Sequence, residues 1–107
     1  MFGKFFDTAP VDTFAAWVAK EMLLALPPDR VDGEAKQTVK HREQVRERIR
    51  RHADNLARTT PLNVYQKAKL GIRLEEVLVA AGYPKAFSKP FAYEVVTFVA
   101  QASSTRR

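Results

Sequence analysis

Residues 32–58 read DGEAKQTVKHREQVRERIRRHADNLAR, and the architecture turns on whether they form one helix. No proline interrupts the run, and its only glycine, Gly33, stands near the start. At about 100° per residue, Ala35, Val39, Val45, Ile49, Ala53, Leu56 and Ala57 gather on one side. That spacing predicts a single long amphipathic helix, opened at Asp29 or Asp32 and closed by Thr59-Thr60-Pro61. Such a helix measures about 38 Å, more than a compact domain of this chain length is wide. It must kink, project at one end, or be covered by a second subunit.

The same run holds most of the chain's charge. Between Lys36 and Arg58 stand eight Lys or Arg against three acids, a local net charge of +5 in a chain of +6. Lys40, Arg48, Arg51 and Arg58 fall on the solvent-facing half and form a candidate nucleic-acid-binding stripe. Glu43, Glu47 and Asp54 interleave with it, however, and Glu47–Arg51 and Glu43–Arg46 have the spacing of internal helix support. No aromatic side chain shares that face to stack a base. Arg42 and Arg46 are more distinctive, because they intrude on the apolar side. A guanidinium there must snorkel, pair with a carboxylate of another element, or face a partner. Glu21, Glu75, Glu76 and Glu94 are the candidate carboxylates, with Glu21 foremost because it also falls on an apolar face.

Working outward, Phe14, Val18 and Met22 predict a helix capped by Asp7 or Thr8, with Pro10 in its first turn and Pro27-Pro28 ending it near Leu26. Phe2, Phe5 and Phe6 precede it as a packing arm. On the other side, Thr60 is the expected cap and Pro61 the first residue of the next helix. There the pattern changes face: Val64, Ala68 and Ile72 share one side, and Leu70, Leu74, Val77, Leu78 and Ala81 another. Gly71 lies at the change, which predicts two short helices angled there, with a weak helix-turn-helix rhythm from Leu70 to Val77. Gly82-Tyr83-Pro84 is a strong terminator. A last helix is expected from Pro90 to about Ala102, capped by Ser88, although residues 93–99 also suit a short strand.

The fold class is therefore all-α: one domain over residues 1–102, four or five helices around the long central one, and a frayed basic tail at 103–107. The chain has no cysteine, which excludes disulfides, thiolate nucleophiles and sulfur-ligated zinc. No Ser/His/acid arrangement, Gly-rich phosphate loop or paired-acid signature stands out, and neither a metal site nor a cofactor is expected. Nothing at the N-terminus resembles a signal peptide, and no transmembrane segment is legible, so a cytoplasmic location is the expectation. The leading functional reading is a non-catalytic protein–protein interaction module, with a homodimer as one form of it. Its candidate contact residues are Arg42, Arg46, Tyr83 and Tyr93, the tyrosines because a hydroxyl tolerates water at a surface. Nucleic-acid binding through the basic stripe is the second reading, and a membrane-surface role the third.

Overall fold

The computed structural model describes residues 6–104, the last of them by its backbone alone. Among these residues there are four α-helices and no strand: α1 (Ala9–Ala25), α2 (Lys36–Thr59), α3 (Val64–Ala80) and α4 (Lys85–Ser104), with a 3-10 turn at Pro28–Arg30. Helix α4 packs along both α2 and α3, α1 lies against α3, and the contact between α1 and α2 is lighter. The all-α array expected from the sequence is what forms.

Helix α1 buries the anticipated stripe, Phe14, Val18 and Met22, together with Val11, Ala15 and Ala19. The Asp7 carboxylate accepts from the backbone N–H of Ala9 at 3.0 Å, so an acid satisfies one of the orphan donors at the helix start. In α2, Val45, Ile49, Ala53 and Ala57 are buried, whereas Ala35 and Val39 at its N-terminal end are not. Aspartate does not cap this helix; its N-cap is Ala35, which makes no side-chain cap. Its 24 residues span about 36 Å. The molecule measures 48 × 29 × 19 Å, so its longest dimension exceeds the length of the helix.

Several expectations about the C-terminal half are corrected. Helix α3 runs without a break through Gly71, and the helix-turn-helix reading falls with it. Leu70, Leu74 and Leu78 are fully buried, while Val64 stays 82% and Ile72 54% exposed. The change of face is therefore a second, outward apolar stripe on one rod. Asn63, not Thr60, caps α3: its side chain accepts from the N–H of Gln66 at 2.8 Å, and Gln66 returns the bond to the N–H of Asn63 at 3.0 Å. Helix α4 begins at Lys85, five residues before Pro90, and residues 93–99 are helical. Phe91, Ala92, Val95 and Val99 are buried along it, and burial of this face outweighs both the strand preference and the hydrogen bond that Pro90 withholds. Ser103 and Ser104 are still helical. Phe2, Phe5 and residues 105–107 lie outside the described residues. Phe6 meets the edge of the Tyr65 ring at 5.0 Å.

Candidate functional site

The four residues proposed as partner contacts divide into two pairs. Tyr83 and Arg42 are clamps on the linker between α1 and α2. The last carbonyls of a helix lack intrahelical partners, and the Tyr83 hydroxyl donates to the carbonyl of Leu26, just past α1, at 2.7 Å. Tyr83 is 2% exposed, and burial pushes its hydroxyl up to about 12, so it is no surface residue. The turn that places it depends on Gly82, at φ +107°, a conformation costly for any residue with a Cβ. Arg42 reaches the same linker from the other side, donating from Nη2 to the carbonyls of Val31 at 3.0 Å and Gly33 at 2.6 Å. Its place on the apolar face is thereby explained within the chain.

Arg46 and Tyr93 remain at the surface. Arg46 is ion-paired to Glu94 of α4 and lies 3.5 Å from Glu43 on its own helix. The Glu94 hydrogen bond, opposed by partial burial, holds the guanidinium above its ordinary value. Glu94 was among the expected carboxylates; Glu21, ranked first, pairs with Arg48 at 2.7 Å instead. Tyr93, one residue from Glu94, is 76% exposed. Between α2 and α4 these residues edge a groove of about 440 Å³ whose apolar walls include Met22, Val45, Phe87 and Phe91. Phe87 and Phe91 stack at 5.2 Å, so the wall is stiff as well as apolar. On the other side of Tyr93 runs a second groove, about 570 Å³, between α3 and α4, lined by Ala68, Gly71, Ile72 and Val96. Tyr93, with Pro90, lines both.

The basic stripe is less free than its composition implied. Arg48 is held by Glu21, Arg51 reaches Glu47 at 3.4 Å, and Arg58 lies 3.9 Å from Asp54. Arg50 binds the same Glu47 through both carboxylate oxygens and, with Arg51, pulls that carboxyl down to about 2. Of the four residues Lys40, Arg48, Arg51 and Arg58, only Lys40 carries no ion pair among the described residues.

The histidines are separate. His52 is exposed at its rim yet stacks on Trp17 at 3.9 Å and on Phe14 at 5.6 Å, joining α1 to α2. His41 contacts Gln37 at 3.3 Å. Among the described residues no three His, Cys, Asp or Glu side chains group as a metal site, and no helix is long and apolar enough to cross a membrane. Compared with protein-family models, curated proteins and solved structures, the chain matches none.

Arg46 and Tyr93 are legible in the sequence as surface candidates, whereas the residues around them are not. Phe87 packs against the core from a half-buried position in the groove wall. The signal that would have revealed this is the start of α4 at Lys85, which the helix-breaking reputation of Pro90 concealed.

Proposed function

We propose that this chain is a non-catalytic protein–protein interaction module that docks a peptide segment in the groove between α2 and α4. The observation that carries the reading is Tyr93, a large aromatic exposed by three-quarters beside an apolar trough with an ion pair at its edge. Interface centres favour aromatic and Arg anchors flanking a desolvated pocket. The Arg46 guanidinium has five N–H donors, and its contacts with Glu94 and Glu43 leave donors for a ligand carboxylate. A segment that inserts a large apolar side chain and places an acid beside Arg46 complements both features.

Selection from a displayed random-peptide library tests this. The reading expects enriched peptides with a large apolar residue and a nearby carboxylate. Their binding should fall at least about tenfold, about 1.4 kcal/mol, for Arg46→Gln. Failure to enrich any peptide class, or enrichment indifferent to Arg46→Gln, contradicts it.

The ion pairs along α2 count against the phosphate reading, since Arg48, Arg51 and Arg58 already face carboxylates. Titrating a generic duplex and a generic single strand at several salt concentrations decides that point. Affinity that falls steeply with salt would restore it.

A further inference from the structure

We infer that the outward stripe of α3 pairs antiparallel with the same stripe of a second copy of this chain, about a two-fold axis near Gly71 and Ile72. Four apolar residues, Val64, Ala68, Ile72 and Val79, lie at helical spacing on a face the monomer leaves uncovered; Val64 is 82%, Ile72 54% and Val79 43% exposed. The stripe is close to palindromic in position. Under that two-fold, Val64 lies opposite the second copy's Val79, and Ile72 enters the groove floored by the second copy's Ala68 and Gly71.

Charge selects both the occupant and its direction. Lys67 and Glu75 stand four residues to either side of Gly71 and share its flank of the helix, both lining the groove. Neither has an ion pair among the described residues. Eight residues apart, they are separated by about 12 Å along the axis and cannot satisfy each other. A two-fold at Gly71 sets each Lys67 opposite the other copy's Glu75. On the opposite flank Glu76 is already paired with Arg73 at 2.9 Å, so Lys67 and Glu75 carry the charge complementarity. Parallel pairing would instead oppose Lys67 to Lys67 and Glu75 to Glu75, which repel. An isologous surface must be complementary to itself, and this one is so only in the antiparallel sense.

Sedimentation equilibrium across a wide range of protein concentration tests the inference. The wild-type mass should approach twice that of the chain as concentration rises. Ile72→Asp should leave a monomer, and Lys67→Glu should weaken the dimer at least about tenfold. Lys67→Glu combined with Glu75→Lys should restore it, which a merely misfolded variant would not do. A wild-type monomer at every concentration overturns the inference, as does a dimer that ignores Ile72→Asp or a double swap that fails to rescue. Arg46→Gln should leave the dimer intact, so this result and the peptide selection stand or fall separately.

Discussion

Arg42 and Tyr83 show how a residue's type misleads when its backbone neighbours are unknown. Both suit an interface by chemistry, and both are spent on the linker carbonyls of Leu26, Val31 and Gly33. Arg42→Ala removes two bonds to a charged donor and should lower unfolding stability by about 1.5 kcal/mol in a denaturant titration. Unchanged stability with lost peptide binding would make it a contact residue after all. Tyr83 carries a pH signature. Its hydroxyl is raised from 10.0 to about 12 by burial, so the folded chain holds the proton more tightly than the unfolded one. The stability tied to this difference is complete below pH 10 and is lost as pH rises toward 12. The stability advantage of wild type over Tyr83→Phe should therefore shrink across that window; a constant difference would contradict the burial.

Among the helices, α1 and α2 were legible because one apolar stripe met one core. The stripe Phe14, Val18 and Met22 went to the interior as its spacing required. Helix α3 was misread for a physical reason: it has two apolar sides, and periodicity cannot tell which of them the fold leaves bare. Its glycine invited the error, since Gly is poor in a helix interior. The structure does not need Gly71 for space, because a Cβ there would stand 3.4 Å from Val96 Cγ2, an ordinary contact. Gly71→Ala should therefore stabilise the monomer by up to about 1 kcal/mol, read as a raised melting temperature. A fall would mean that the approach of α3 to α4 is tighter than it stands. Helix α4 was obscured in the opposite way, as Pro90 hid a first turn that Phe87 and Phe91 hold in place through packing. The candidate site suffered most, because both grooves are products of helix pairing, and no local pattern records which pairs form.

Over the whole molecule, the +6 charge and the apolar surface prove to be separate matters. Most of the charge on α2 is partnered along the helix or across to α1 and α4. Apolar ground lies on either side of Tyr93, one groove toward α2 and one toward α3. The elongated shape removes the argument that α2 needs a second subunit to cover it, and moves the case for self-association to α3. Tyr93 makes no contact that the core requires, so its loss should spare stability within about 0.5 kcal/mol. The most direct measurement is a calorimetric titration of a selected peptide into Tyr93→Ala beside wild type. Affinity reduced at least about tenfold in a fully folded variant is the result expected of a docking ridge. Equal affinity for the two proteins would contradict it.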